Sequence, residues 1–169
     1  MVTIDLITGF LGSGKTTFLK KYAEYLMNQG LHIGILENDF GAINVDMLML
    51  HELRGDQCEL EMIAGGCDAE SHRRRFRTKL ISMRMCGYDR VLVEPSGIYD
   101  VDEFFDVLRE EPLDQWYEIG NVIAILDARL EDNLSEQADY LLASEAANAG
   151  KVILSHADAA TREQCEDTV

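Results

Sequence analysis

The sequence lacks the features that mark several classes of protein. Lysine and arginine together number 15 against 31 aspartates and glutamates, which gives a formal net charge of −16. This balance argues against a nucleic-acid partner, because such binding needs a broad basic face. No apolar run approaches the roughly 20 residues of a membrane-spanning helix, so no membrane partner is expected. The first residues, Met1–Ile7, are mostly apolar and are expected to form a core strand rather than a signal peptide.

Cysteine and proline are also scarce. None of the four cysteines (Cys58, Cys67, Cys86 and Cys165) belongs to a C-x-x-C pair, and we expect no disulfide framework and a cytoplasmic protein. Only two prolines occur, and the chain has no repeats, low-complexity tracts or Pro/Gly/Ser-rich linkers. A chain of 169 residues with 47% hydrophobic content therefore predicts one domain with a sizeable core.

The most informative segment is Gly9–Thr16, which fits the phosphate-loop pattern G-x-x-x-x-G-K-S/T. Its glycines let backbone N–H groups turn inward around phosphate oxygens, and the following helix adds a partial positive charge. We expect Lys15 to reach the β- and γ-phosphates of a nucleotide and the Thr16 hydroxyl to ligate Mg²⁺. The other predicted nucleotide-binding residues of this segment are Gly12, Ser13, Gly14 and Thr17.

Short apolar runs alternate with helical patterns along the chain. The predicted strands are Thr3–Thr8, His32–Glu37, Arg90–Glu94, Asn121–Asp127 and Lys151–Ser155, with Glu59–Ile63 as an extra edge strand. The predicted helices are Lys15–Gln29, Ala69–Met85, Val101–Glu110 and Leu134–Asn148. This alternation predicts an α/β fold of the P-loop NTPase type, a mostly parallel sheet with helices on both faces.

Two further segments carry candidate magnesium and water-activating groups. The strand that ends at Glu94 runs into Pro-Ser-Gly, and we expect Glu94 to orient Mg²⁺ or the attacking water while Gly97 contacts the γ-phosphate. The loop Glu37–Asp46 holds three carboxylates and a glycine near the carboxyl edge of the sheet, where ligands bind. Asp39 or Asp46 is a candidate for the Mg²⁺ shell, and an acidic surface loop is the alternative interpretation of the segment.

Cys67 follows two glycines at the start of a predicted helix, where the helix dipole favours a thiolate. One cysteine is not a metal site, so Glu37, Glu70 and His72 are candidate additional ligands, and a structural cysteine is equally well supported. The basic run His72–Lys79 is interpreted mainly as a solvated helix face, with a docking patch for an acidic partner as the alternative.

The ordered set Gly9–Thr17, Glu37–Gly41, Gly65–Cys67 and Glu94–Gly97 resembles the CobW-type P-loop GTPases, a branch of the metallochaperone GTPases. The resemblance extends from residue 2 to about residue 158. It implies GTP and GDP binding, slow Mg²⁺-dependent GTP hydrolysis, and delivery of Zn²⁺ or Co²⁺ to a client metalloprotein. Such proteins usually carry a C-terminal domain. We therefore expect residues 1–169 to form one GTPase domain without that second domain. Truncation of this domain at its C-terminal end is an alternative.

The chain departs from this family pattern in two places. The family metal motif C-x-C-C is Cys67-Asp68-Ala69-Glu70 here, so a transition-metal site would rest on Cys67 and Glu37 and bind soft metals more weakly. The guanine motif Asn-Lys-x-Asp is Ser155-His156-Ala157-Asp158, in which Asp158 keeps the carboxylate that reads guanine.

The leading hypothesis is therefore a GTP-hydrolysing switch in metal trafficking, with Lys15, Glu94 and Gly97 as its catalytic residues. A nucleotide-binding scaffold with little turnover and no metal cargo is one alternative, and an ATP-dependent ATPase or kinase is another. No arginine finger is assigned, although Arg73–Arg75 are candidates to act in trans. The client is not identified, and a homodimer is one arrangement that the sequence permits.

Overall fold

The structure is a computed structural model that describes residues 1–9, 12–39, 45–64, 69–95, 101–129, 140, 143–144 and 146–161, with the backbone alone at 38, 39, 45–47, 64 and 69. In this part of the chain, six strands form one parallel sheet in the order β3-β2-β4-β1-β5-β6. The strands are β1 (Val2–Gly9), β2 (Ile33–Asp39), β3 (Cys58–Ala64), β4 (Arg90–Glu94), β5 (Tyr117–Asp127) and β6 (Lys151–Ser155). The prediction of a parallel sheet is confirmed, and the predicted edge strand lies at the edge.

Five helices connect these strands within the described ranges: α1 (Lys15–Met27), α2 (Val45–His51), α3 (Ala69–Arg84), α4 (Val101–Leu108) and α5 (Leu113–Trp116). The predictions of α1, α3 and α4 are confirmed to within a few residues at their ends, whereas α2 and α5 were not predicted. The described positions of the predicted helix Leu134–Asn148 are helical, and the rest of it lies outside the described residues. No described helix is long and apolar enough to cross a membrane.

Helices cover both faces of the sheet, as predicted. Parallel strands buried on both faces carry apolar side chains in both directions, and here they supply two separate cores. One face packs against α1 and α2, and its buried side chains include Ile7, Leu19, Ala23, Leu26, Ile35, Leu50, Leu92 and Ile125. The other face packs against α3, α4 and α5, and its buried side chains include Ile4, Leu6, Phe76, Leu80, Val93, Phe104, Leu113 and Tyr117. The two cores thereby hold the carboxyl ends of the strands together along one edge of the sheet.

β5 begins four residues earlier than predicted because Gly120 belongs to the strand. The pairing of β1 with β5 shifts register next to Asp5, and the bulge lets the Asp5 carboxylate accept the Asn121 N–H at 2.6 Å. Asp5 is fully buried and also binds Arg90 (Nε–Oδ2 2.8 Å) and the Tyr22 hydroxyl (2.8 Å). A Cβ at position 120 would lie 2.2 Å from Asp5 Oδ1, so only glycine fits.

Candidate functional site

The phosphate-loop segment joins the end of β1 to the start of α1. Gly12 and Gly14 have φ angles of 80° and 91°, a region that favours glycine. Gly14 caps α1 without a side-chain hydrogen bond. The N–H groups of the first helical turn are thus not engaged by a capping side chain and face the loop, which is the arrangement that binds anions at helix N-termini.

Two side chains of the loop are buried with their polar atoms inside it. The Lys15 ammonium donates to the Gly9 carbonyl at 2.8 Å, and the residue is only 7% exposed. The Ser13 hydroxyl is buried and has no hydrogen-bond partner among the described residues. A buried hydroxyl without a partner costs free energy unless a ligand or water satisfies it. The loop therefore fits an anion with several acceptor oxygens.

Thr16 and Glu94 are joined by a hydrogen bond within the buried part of the site. The Thr16 hydroxyl donates to Glu94 Oε1 at 2.8 Å, which links the first turn of α1 to the last residue of β4. Both residues are 7% exposed. The alternation of β4 turns Leu92 and Glu94 toward the α1 face, so the strand ends with an acid aimed at the phosphate loop.

A second buried carboxylate lies beside Glu94. Glu37 of β2 is in register with Glu94 of the neighbouring strand, and it is 3% exposed. Side chains in register on neighbouring parallel strands project from the same face, with backbones about 4.8 Å apart. Two acidic groups so close to each other repel unless cations lie near them. The pair thus makes this end of the sheet attractive to a cation.

The predicted base-reading segment lies beside the phosphate loop. A Cβ at Gly14 would be 3.7 Å from the Ser155 Cβ, so the end of β6 contacts the start of α1. His156 adopts a φ of 53°, and Asp158 is exposed on the turn that follows. The Ala159 N–H closes this turn on the His156 carbonyl at 3.0 Å.

A charged network that was not predicted supports this turn. Arg129 binds Asp127 at the end of β5 through both side-chain oxygens, at 3.0 and 2.8 Å. His156 Nδ1 lies 3.1 Å from Asp127 Oδ2, and Ser155 Oγ lies 3.2 Å from the same nitrogen. The hydrogen bond to Asp127 raises the pKa of Arg129, and the charge of Asp158 raises it further by a smaller amount. Asp127 therefore connects the residues around the predicted base reader.

Hydrogen bonds from Arg129, and to a smaller extent the charge of His156, lower the pKa of Asp127 from 3.8 to about 2. A lowered pKa means that the carboxylate stabilises the fold fully above about pH 3.8 and loses that contribution as the pH falls through about 2. Replacing Arg129 with alanine is expected to move the pKa of Asp127 back toward 3.8. Carboxyl ¹³C NMR between pH 3 and 6 would show this titration in the variant and a nearly constant signal in the wild type. An Arg109→Ala control should leave the Asp127 signal unchanged, and equal titrations in all three proteins would contradict the assignment.

Several predicted site residues fall outside what the structure describes. Gly97 and Cys67 lie outside the described residues, and Asp39 is described by its backbone alone, as the last residue of β2. Thr17 is exposed on α1, and Glu70 is exposed at the start of α3. Among the residues that the structure describes, no group of three or more His, Cys, Asp or Glu side chains is placed to hold a metal ion.

Several residues of the basic run on α3 contact acidic side chains. His72 is buried and lies 3.3 Å from Glu103 of α4. Arg73 and Arg77 both bind Glu110, at 2.6 and 3.0 Å. The interpretation as a solvated helix face is therefore wrong for His72, whereas Arg73 and Arg77 stay partly exposed and pair with an acid that follows α4. Arg73 is also engaged rather than free to act on a second molecule.

Comparison with known proteins agrees with this geometry. Residues 3–169 match the family model described as CobW/HypB/UreG, nucleotide-binding domain. The zinc chaperone YjiA of Escherichia coli (strain K12) is 29% identical over 172 residues, covering 94% of this chain and 50% of YjiA. The zinc chaperone YeiR of the same organism is 27% identical over 164 residues, covering 96% of this chain and 49% of YeiR. The chain spans about half the length of the curated relatives it matches.

The fold is also that of solved relatives. The crystal structure of the Zn(II)-bound YjiA GTPase from E. coli superposes with a TM-score of 0.62 at 22% identity, covering 98% of this chain and 52% of that chain. This likeness confirms the α/β P-loop architecture. The chain belongs to the CobW/HypB/UreG family and contains the nucleotide-binding domain of that family.

Proposed function

We propose that this protein binds GTP and hydrolyses it with Mg²⁺ as a conformational switch that delivers zinc or cobalt to a client metalloprotein. The observation that carries the proposal is the buried hydrogen bond between Thr16 and Glu94. It joins a phosphate loop to a carboxylate at the end of the neighbouring strand, the two parts that magnesium-dependent nucleotide hydrolysis requires. YjiA, which this chain resembles, is named both a zinc chaperone and a GTPase.

In this proposal the loop binds the triphosphate. The backbone of Gly12–Gly14 and the Ser13 hydroxyl would donate to phosphate oxygens, and Lys15 would move its ammonium from the Gly9 carbonyl to the β- and γ-phosphates. Fixed donors around the developing negative charge stabilise the transition state without reorganisation. Gly97 is proposed to add its N–H at the γ-phosphate.

The side chains of Thr16 at the start of α1 and Glu94 at the end of β4 fit Mg²⁺. Thr16 and Glu94 offer a hydroxyl and a carboxylate, hard oxygen donors of the kind that magnesium prefers. Mg²⁺ held by these two residues would supply positive charge that offsets the negative charge of the bound triphosphate. Glu94 would hold the metal or orient the attacking water, and Asp39 is proposed to complete the shell.

We propose that Cys67 and Glu37 bind the metal cargo. Glu37 lies in register with Glu94, so a cation held by Glu37 would lie one strand away from the nucleotide centre. Occupancy of either site would then change the electrostatic potential at the other, which gives a switch a physical basis. Cys67 is the one family thiolate that the sequence keeps, and a thiolate favours zinc or cobalt over magnesium.

Asp158 is proposed to select guanine by accepting hydrogen bonds from N1–H and the exocyclic amine. Replacing Asp158 with asparagine is expected to weaken GDP binding about 10- to 100-fold, because hydrogen bonds to a charged acceptor contribute roughly 1.5–3 kcal/mol. Calorimetric titration with GDP and ADP in the presence of Mg²⁺ measures this loss. Asp56→Asn, a change of the same kind at another exposed aspartate, is the control.

The same titration, together with a measurement of GTP turnover, separates the alternatives. Tighter binding of ADP than of GDP by the wild type would favour an ATP-dependent enzyme and refute the assignment of Asp158. GDP binding without measurable turnover of GTP would favour a scaffold module.

The proposal includes a cytoplasmic location, where free cysteines such as Cys58 and Cys86 remain reduced. It leaves the client unnamed and includes a homodimer as one working state.

A further inference from the structure

The open edge of the sheet presents backbone groups that pair with no described strand. β3 is the outermost strand beside β2. The Gln57 carbonyl accepts from Ile33 of β2, whereas Cys58 turns its N–H and carbonyl away from β2, to Gly55. Since backbone groups alternate in direction along a parallel strand, those of Leu60 and Met62 also point away from the sheet. β3 thus offers a short row of donors and acceptors to an added strand.

α3 lies against this edge and forms a groove with it. The core-facing side of the helix carries Phe76, Leu80 and Met83. The outward side carries Arg74 and Thr78, one turn apart, and with Met62 and Ile63 of β3 it lines a groove of about 440 Å³, which we call the β3 edge groove. The remaining lining residues are Arg75, Lys79 and Ser82. The groove therefore has an apolar floor and a wall of cations and hydroxyls.

The charge of the groove opposes that of the protein. The chain has 31 acidic residues against 15 basic ones, yet the described lining of the groove contains no carboxylate and three cations, of which Lys79 is balanced by Glu61. Arg74 is exposed and makes no ion pair with any described residue, whereas Arg73, one position before it, and Arg77, three positions after it, both pair with Glu110. Lys79 is anchored to Glu61 of β3 at 2.8 Å, which holds the helix against the strand.

We propose that the β3 edge groove binds an extended, acidic peptide segment of a partner protein, which adds to β3 as a further strand. The peptide backbone would bond to Leu60 and Met62, and its acidic side chains would face Arg74 and Arg75. At physiological salt the screening length is about 8 Å, so these arginines act on the peptide more strongly than the distant carboxylates do.

A second copy of this chain fits the groove less well than an acidic peptide. Pairing of β3 with β3 of another molecule would bring the same flank of both copies together, so Arg74 and Arg75 would approach their equivalents. Like charges brought together oppose association. An acidic strand from a different protein meets no such repulsion.

The test uses a fluorescein-labelled peptide of eight alternating glutamates and valines, with a lysine–valine peptide of the same length as its counterpart. We expect the wild-type protein to bind the acidic peptide in fluorescence anisotropy and to ignore the basic one. The double variant Arg74→Glu, Arg75→Glu is expected to bind at least about tenfold more weakly. Met62→Pro removes the outward N–H while leaving the β2 side of the ladder intact, and it should also reduce binding about tenfold or more.

Arg109→Glu, one residue after the end of α4, is the control, because it reverses the charge of an exposed arginine that does not line the groove. It should leave peptide binding unchanged, and all variants should keep the far-UV circular dichroism of the wild type. No binding of the acidic peptide by the wild type, equal binding of the basic peptide, or full binding by both groove variants would each overturn the proposal. A dimer in sedimentation that Met62→Pro dissociates would also overturn it, by assigning the edge to a second copy.

Discussion

Replacing Lys15 with alanine is expected to reduce GTP hydrolysis about 10²- to 10³-fold, the usual cost of losing one fixed electrostatic group at a transition state. The Lys15 ammonium is buried inside the loop, where it donates to the Gly9 carbonyl at 2.8 Å. Its charge acts in a site shielded from water, which makes it stronger than a surface charge. Phosphate release under saturating GTP and Mg²⁺ measures the effect.

Lys21→Ala provides the control for this experiment. Lys21 belongs to the same helix and is exposed. Lys21→Ala therefore changes the net charge and the helix composition by the same amount as Lys15→Ala, without affecting the loop. It should retain wild-type turnover. Unchanged hydrolysis in Lys15→Ala, or an equal loss in both variants, would contradict the role assigned to the phosphate loop.

Replacing Glu94 with glutamine is expected to lower the turnover of GTP about 10²-fold and to raise the Mg²⁺ concentration needed for half-maximal activity. Glutamine keeps the size of the side chain and an oxygen that can accept from Thr16, so the geometry is retained while the charge is lost. A charged group that orients water or metal contributes roughly this factor or more. Initial rates over a series of Mg²⁺ concentrations measure both quantities.

The companion variants make this second prediction specific. Glu24→Gln changes an exposed glutamate of α1 and should leave the Mg²⁺ dependence unchanged. Glu37→Gln changes the carboxylate in register with Glu94, and a smaller shift of the same sign is expected because it removes one of two neighbouring negative charges. A Glu94→Gln protein with wild-type Mg²⁺ dependence would refute the assignment of Glu94.

The sequence was sufficient to predict the part of the fold that holds the phosphate loop. The apolar run before Gly9 and the periodic helix after Lys15 specify β1 and α1, and β4 was predicted with its observed ends. Glu94 could be placed beside the loop because the carboxyl ends of parallel strands share one edge. Local pattern and motif agree in this region, so the prediction needed no knowledge of long-range contacts.

Long-range contacts determine the elements that were missed. β5 includes Gly120, and a glycine at that place in the sequence pattern predicts a strand break. The structure shows instead that glycine is needed there because a larger residue would collide with the buried Asp5 carboxylate. α5 is four residues long, too short for a periodic pattern. The partners Arg129 and His156 lie 27 residues apart, and the one available signal was the acid at the end of β5, Asp127, which they both contact.

The basic run of α3 illustrates the same limit. Charge and spacing on α3 could not show that Arg73 and Arg77 pair with Glu110 while Arg74 faces the β3 edge groove. A helix repeats every 3.6 residues, so neighbouring arginines project in different directions. Which of them meets an acid depends on the packing of α3 between β3 and α4, and this follows only from the assembled fold.

The central claim is that this nucleotide-binding domain hydrolyses GTP through a magnesium-dependent phosphate loop. Its most direct test is the release of phosphate from GTP and from ATP by the purified wild-type protein, first with Mg²⁺ and then with EDTA. We predict turnover of GTP that depends on Mg²⁺, with ATP hydrolysed much more slowly. Hydrolysis of ATP in preference to GTP, or no Mg²⁺-dependent release from GTP above the protein-free rate, would contradict the account.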